Sequence, residues 1–312
     1  MKQTLSFVAG VATLAACLAS GTLAASAQSN PKFEYAKADD VKDVKGTEWD
    51  ATAEAGVVLT TGNSRVTTVT GGFKATRKQA KNKFSAEAAG AFARTSNLVA
   101  NDINGDMVLQ SDEVRREDKD SAKTVASKLR YDRFLTEKNS LFVAALAGAD
   151  PLAGKDFIGG GQLGYSRLLY LSPSHELAGE FGYDFSYENF ATDDPTATQS
   201  LSIHSARAFT GYKGKLNETT TVEGSLEVLA NLVGQTINTT DVSPFEDLRV
   251  NLGGSIAAKL SKSVAMSFSI TAKYDNVPAP LAIAGFMLDP DDPPEASRMD
   301  TTTKASIIVT FL

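Results

Sequence analysis

From Trp49 to the end of the chain, apolar residues return at every second position over runs of up to 11 to 14 residues. Leu177, Gly179, Phe181, Tyr183, Phe185 and Tyr187 share one face, while Glu176, Glu180, Asp184, Ser186 and Glu188 share the other. A period of two is the signature of a β-strand with two different faces. The same alternation runs through Val264 to Tyr274 and through Leu248 to Leu260, and more weakly from Trp49, Phe84 and Val222. These runs exceed the five or six residues usual in soluble sheets and are long enough for a tilted strand to cross a bilayer. A bundle of membrane helices is excluded, because it needs repeated apolar runs of about 20 residues and none follows the amino terminus.

Strands are expected at 49–60, 64–77, 82–94, 121–134, 140–149, 155–170, 175–190, 200–216, 219–231, 246–259, 263–274 and 299–311, an even number. Every second connection is tight: 79–81, 135–139, 171–174, 216–218 and 260–262. The others are mostly longer and rich in Asp, Asn, Pro and Gly, notably 95–120, 191–199, 232–245 and 275–298, with Thr61-Gly62-Asn63 as a short exception. Short turns on one side and long loops on the other are the pattern of an outer-membrane barrel. A soluble β-sandwich also alternates one apolar and one polar face, so alternation alone leaves both open. The expected fold is all-β, an antiparallel up-and-down transmembrane β-barrel of about 12 strands.

The amino terminus sets the compartment. Lys2, an apolar stretch from Leu5 to Leu23 and the small-x-small site Ala25-Ser26-Ala27 read as an export signal over residues 1–27. Leu14-Ala15-Ala16-Cys17 resembles a lipobox, which keeps open an alternative cleavage with acylation of Cys17. Cleavage after Ala27 leaves no cysteine in the mature chain, since Cys17 is its only one. Residues 28–48 alternate in charge and read as a solvated periplasmic segment, with a barrel plug as the sharper option. The barrel domain is expected at 49–312. The last strand, with Thr303, Ala305, Ile307, Val309 and Phe311 on one face, resembles the aromatic-ended strand by which the barrel-assembly machinery takes up its substrates, although Leu312 follows the aromatic residue. Outer-membrane lipids and that machinery are the expected partners. With a net charge of -6, nucleic acid is excluded, because its binding depends on Lys and Arg neutralising phosphates.

Four segments point to a family. The opening from Trp49 to Gly62-Asn63-Ser64, Tyr131-Asp132-Arg133-Phe134-Leu135-Thr136, Gly159-Gly160-Gly161-Gln162-Leu163-Gly164-Tyr165, and Tyr274-Asp275-Asn276-Val277-Pro278 resemble the YdiY-like family, domain of unknown function 481, over roughly 49 to 312. The resemblance implies an outer-membrane barrel, salt-induced in some members, with no settled activity and no catalytic residues to transfer.

No catalytic centre and no cofactor are expected. Only two histidines occur. His175 reads as a turn residue, and Ser202 and His204 share a strand face as a hydrolase dyad could, although same-face Ser and His arise by chance in any Ser-rich strand. Asp102-Ile103-Asn104-Gly105-Asp106 and the cluster Asp289, Asp291 and Asp292 carry calcium-type ligands without the spacing or terminal Glu of a calcium loop. The polar faces instead suggest a charged lumen. Glu176, Glu180, Asp184, Glu188, Glu223 and Glu227 are expected to face Lys128, Arg130, Arg249, Lys259, Lys273 and Lys304 across it. Twelve strands enclose more space than side chains readily fill. Two functions follow: a narrow pore for ions or small solutes, or a barrel closed by its own charge pairs that serves the envelope structurally.

Overall fold

The computed structural model describes residues 46–60, 65–100, 114–190, 198–237, 240–278 and 297–310. The export signal, most of the segment 28–48, the Thr61-Gly62-Asn63 turn, both aspartate-rich loops and Phe311 lie outside these residues.

The strands are β1 (Thr47–Thr60), β2 (Arg65–Gln79), β3 (Asn82–Ala100), β4 (Val114–Thr136), β5 (Asn139–Asp150), β6 (Lys155–Leu171), β7 (His175–Phe190), β8 (Ser200–Lys215), β9 (Thr220–Asn231), β10 (Gln235–Ile237), β11 (Thr240–Val242), β12 (Leu248–Lys259), β13 (Val264–Asp275) and β14 (Met299–Thr310). Twelve of them close into one antiparallel barrel, and β10 and β11 form a separate two-stranded hairpin. The sandwich is ruled out by the ladder between β1 and β14, from Thr52↔Thr310 to Ala55↔Ile307, which leaves the sheet without an edge. That ladder is short. Inside the barrel, Lys304 Nζ and Ser306 Oγ both reach Glu54 Oε1 at 2.5 Å and stitch the same seam.

Tight turns hold one end of the barrel. The Asn217 carboxamide oxygen accepts the backbone N–H groups of Thr219 and Thr220 at 2.9 and 2.8 Å. Ser172 Oγ accepts from the His175 N–H at 3.0 Å, and Ser261 Oγ from the Val264 N–H at 3.1 Å. These side chains satisfy amides that have no ladder partner at the turn.

The polarity of the barrel is inverted relative to a soluble domain. Phe181 is 67% exposed, Val57 62% and Leu163 57%, and all point outward, whereas Lys83, Lys128, Arg130 and Arg207 are buried inside. Period-two sequence produces this directly, because each strand turns one face to the lumen and one away. A soluble barrel would place the apolar face inward, so the outer belt requires an apolar surrounding.

Two differences from the sequence reading concern the loop end. β3 and β4 run to Ala100 and from Val114, beyond the expected 94 and 121, past a bulge between Ala93 and Arg94. Charged residues lie on both faces there and the Arg94–Asp120 pair bridges the ladder at 2.7 Å, so no alternation marks the extension. The connection 232–245 contains the β10–β11 hairpin, whose three-residue strands are too short to show a period.

Candidate functional site

The lumen is the candidate site. Its inner wall divides into two sectors. In the sector from β4 to β9 most inward side chains are buried, and large charged ones stand among small residues such as Ser140, Ser166 and Ser205. Glu180 Oε1 accepts from Arg130 Nη2 at 2.7 Å, and its Oε2 accepts from Arg207 Nη1 at 2.8 Å. Arg130 also donates to Asp132 at 2.7 Å, and Arg207 Nε to Glu227 at 2.6 Å. Lys128 lies within electrostatic range of Glu180 and Glu227 and approaches the Gln162 amide oxygen at 3.3 Å, while Gln162 donates to Asp184 at 2.8 Å. Three cations therefore meet Asp132, Glu180 and Glu227 in a group from which water is nearly excluded. Charge-assisted bonds of this length are the strong ones, and in low dielectric they offset desolvation only when geometry is good.

An aromatic floor holds the group. The Arg130 guanidinium stands 4.1 Å from the Phe142 ring centre, and Arg207 lies 5.7 Å from Phe142 and 5.1 Å from Phe209. These ring faces attract a cation. Room for Phe142 comes from the glycine-rich strand: a Cβ on Gly164 would stand 3.0 Å from the Phe142 ring and 2.5 Å from the Phe181 carbonyl oxygen. Across the ladder, a Cβ on Gly182 would stand 2.2 Å from the Leu163 carbonyl oxygen. β6 and β7 approach this closely only because both positions lack a side chain.

A second group lies nearer the loops. Glu188 accepts from Lys155 at 2.7 Å and lies 4.0 Å from Arg249, which donates to Ser205 Oγ at 3.0 Å and stands 3.8 Å from Asp247. Burial pushes the Asp247 carboxyl above its ordinary range, against the opposing pull of Arg249. Asn231, 1% exposed, accepts from the Asp247 N–H at 2.9 Å and donates to the carbonyls of Val233 and Ser243, which fixes the β10–β11 hairpin to the barrel. Lys273 lies within electrostatic range of Lys155 and Asp150.

The remaining residues read as lumen-lining divide by height. Glu223 pairs with Lys213 at 2.9 Å near the tight-turn mouth, where Glu176 also turns inward. Lys259 ends β12 at the same mouth and is exposed there, at the rim rather than along the wall.

The opposite sector, β1, β2 and β12 to β14, is built from small polar residues. Thr52, Thr70, Ser255, Ser269 and Thr271 face inward, and each keeps partial exposure. Lys304, Glu54 and Lys74 also face inward, with side chains 22%, 15% and 15% exposed; Lys74 pairs with Glu87 at 3.3 Å. Because the outer face of these positions is the wall itself, their accessibility comes from the lumen. Thr76, Ser267 and Ser306 in the same sector are buried, so the partly accessible hydroxyls form a strip of this wall and not the whole of it.

The histidines lie elsewhere. His204 points outward, in hydrogen-bond contact with the Tyr183 hydroxyl and 5.1 Å from the Phe185 ring centre, and Ser202 is exposed beside it. His175 Nδ1 contacts the Tyr212 hydroxyl at 2.8 Å at the turn end.

The residue that sequence reasoning missed is Arg207, at the centre of the network. Its strand places Ile203 and Phe209 inward and Ala206 and Ala208 outward, so the polarity contrast that marked β7 is absent. Asp132 and Glu87 were equally legible from period two but lay on strands read for their basic or apolar members. Lys155 was missed because it sits at the strand edge.

A family model described as "Protein of unknown function, DUF481" matches residues 53–311. No curated protein matches the chain. Among solved structures, the translocator domain of the autotransporter NalP from Neisseria meningitidis is similar at 10% identity, covering 85% of this chain and 88% of that one, with a TM-score of 0.38. The NanC porin is similar at 7% identity, covering 84% and 100%, with a TM-score of 0.43. The toluene transporter TodX from Pseudomonas putida is similar at 9% identity, covering 92% and 95%, with a TM-score of 0.35.

Proposed function

The chain belongs to the DUF481 family, whose description assigns no activity, and from its inverted barrel we propose that it spans the outer membrane as a narrow, off-centre pore for ions or small polar solutes. The membrane reading is supported by the outward belt that includes Phe73, Phe181, Leu252 and Ile270, since a continuous apolar exterior around a charged interior is stable only in lipid. The export signal over residues 1–27 supplies the route, and the barrel-assembly machinery the insertion.

The observation that carries the pore is the contrast between the two sectors. The paired charges of β4 to β9 fill their half of the lumen. The hydroxyl-lined half retains access from inside, and the Lys304–Glu54 and Lys74–Glu87 pairs, the latter shared with β3, place opposed charges beside the path. An interior of twelve strands lies between the filled eight-stranded barrel and the open sixteen-stranded porin.

Single-channel recording in planar bilayers tests this. The expected result is steady openings whose conductance falls several-fold in Thr271→Trp and Thr70→Trp, while Ser205→Ala in the packed sector leaves it unchanged. Electrically silent membranes containing folded, inserted protein would replace the pore with a closed structural barrel.

A further inference from the structure

At the tight-turn end, one sector of the outer surface differs from the rest of the belt. Register across β1 to β4 places Trp49, Arg77, Phe84 and Tyr131 in one outward row, and Gln79, Asn82 and Arg133 in the next row toward the turns. Between the rows lies a cavity of about 360 Å³ lined by Arg77, Gln79, Asn82, Phe84 and Tyr131. Its polar groups are held in place. Asn82 Oδ1 accepts from the Tyr131 hydroxyl at 2.8 Å and from Arg133 Nη1 at 2.6 Å. Arg77 donates to Gln79 at 2.7 Å and stands 6.0 Å from the Trp49 ring centre.

Among the described residues, neither Arg77 nor Arg133 meets a carboxylate. Two guanidinium groups without counter-ions on a lipid-facing wall call for an anion, because charge at that surface is otherwise costly. Arg77 and Arg133 stand two strands and one row apart, about 12 Å between backbones, which long side chains can span to meet one phosphate above Asn82. Guanidinium binds phosphate through paired hydrogen bonds, and Trp and Tyr settle at headgroup depth.

The wall continues upward as a groove. On the outer face of β3, Ala86, Ala88 and Gly90 are flanked by Ala75, Phe73 and Gly71 on β2 and by Leu129, Ser127 and Val125 on β4. Phe73, Leu129 and Val125 are large and about half exposed, so they stand above a low strip about 14 Å long made by the small residues among them. A second Tyr-x-Arg set on β6, Tyr165 and Arg167, with Asn139 in hydrogen-bond contact with Tyr165, has no such strip, because β5 turns Leu141 and Val143 outward above it.

We propose that this sector binds one phospholipid, with its phosphate between Arg77 and Arg133 and one acyl chain along Ala86, Ala88 and Gly90. The inference rests on the membrane reading. It is tested with the full chain, folded in detergent and titrated with phosphatidylglycerol, by counting bound lipid in native mass spectrometry; vesicle flotation is run in parallel. Wild type is expected to take up a first lipid with an apparent Kd at least about tenfold below that of R77Q/R133Q. Ala88→Trp, which fills the strip without touching the charges, is expected to lose the lipid as well, and Lys262→Gln in the β12–β13 turn is expected to retain it. Equal lipid uptake in wild type, R77Q/R133Q and Ala88→Trp would overturn the site while the barrel still floats with vesicles. Full displacement by inorganic phosphate at equal concentration would overturn the lipid as occupant. A barrel that does not float would overturn the membrane reading and this proposal together.

Discussion

Replacing Glu180 by glutamine keeps the shape of the side chain and removes the charge that joins the two arginines of the packed sector. The carboxylate accepts from Arg130 and Arg207 at 2.7 and 2.8 Å, and its side chain is 0% exposed. In Glu180→Gln one of these bonds becomes a contact between an amide N–H and a guanidinium N–H, donor against donor. Removing one partner from a buried ion pair costs about 3 to 5 kcal/mol. Here each arginine keeps a second carboxylate, Arg130 on Asp132 and Arg207 on Glu227. The loss is therefore expected at the lower end, about 3 kcal/mol. The assay is reversible urea unfolding from lipid vesicles, followed by the fluorescence of Trp49, the single tryptophan, with the slope against urea unchanged. Arg207→Met combined with Glu180→Gln should cost less than the two single changes added together, by about 1 to 3 kcal/mol, because they share a contact. A loss below about 0.5 kcal/mol for Glu180→Gln, the range of an ordinary surface change, would show that the carboxylate is hydrated and that the packed sector is open to water.

Further outcomes follow from the same geometry. Phe142→Ala removes the ring beneath Arg130 and is expected to lower unfolding stability by about 3 to 5 kcal/mol, read by the same titration. Gly164→Ala is expected to lower the temperature of heat-modifiable migration, since its Cβ would meet backbone oxygen at 2.5 Å, whereas Gly161→Ala, with its nearest contact at 3.6 Å, should match wild type. Phe181→Arg places a charge in the outer belt and should weaken insertion into vesicles by about 2 to 4 kcal/mol, while Thr271→Arg on the inner face should insert normally. Asn231→Ala frees the β10–β11 hairpin from three hydrogen bonds, so protease should cut within 232–247 faster while the barrel fragment stays folded.

Much of this architecture was legible because period two is a local property. Twelve strands, the alternation of tight and long connections, and the inward direction of Glu180, Asp184, Glu188 and Glu227 all follow from which residues share a face. The partners do not. Arg130 reaches Glu180 over the two intervening strands β5 and β6, a relation fixed by barrel closure and curvature rather than by spacing along the chain. Arg207 escaped notice because Ile203 and Phe209 share its inward face, so its strand carries no clear polar side. The glycines of β6 marked a family resemblance in the sequence. Their physical role, the close approach to β7 beneath Phe142, needs the register between two strands. The division of the lumen was also hidden, since Thr271 and Ser205 are both inward hydroxyls and differ only in what stands opposite.

That division is most directly tested by placing single cysteines in the chain carrying Cys17→Ser and measuring their labelling in vesicles by a small, membrane-impermeant thiol reagent. Cysteines at Thr70 and Thr271 should label rapidly from the lumen, one at Ser205 should stay protected until urea is added, and one at Phe181 should react only with a lipid-soluble reagent. Rapid aqueous labelling at Phe181 would contradict the lipid-facing belt, and equal protection at Thr70, Thr271 and Ser205 would contradict a wetted path through the barrel.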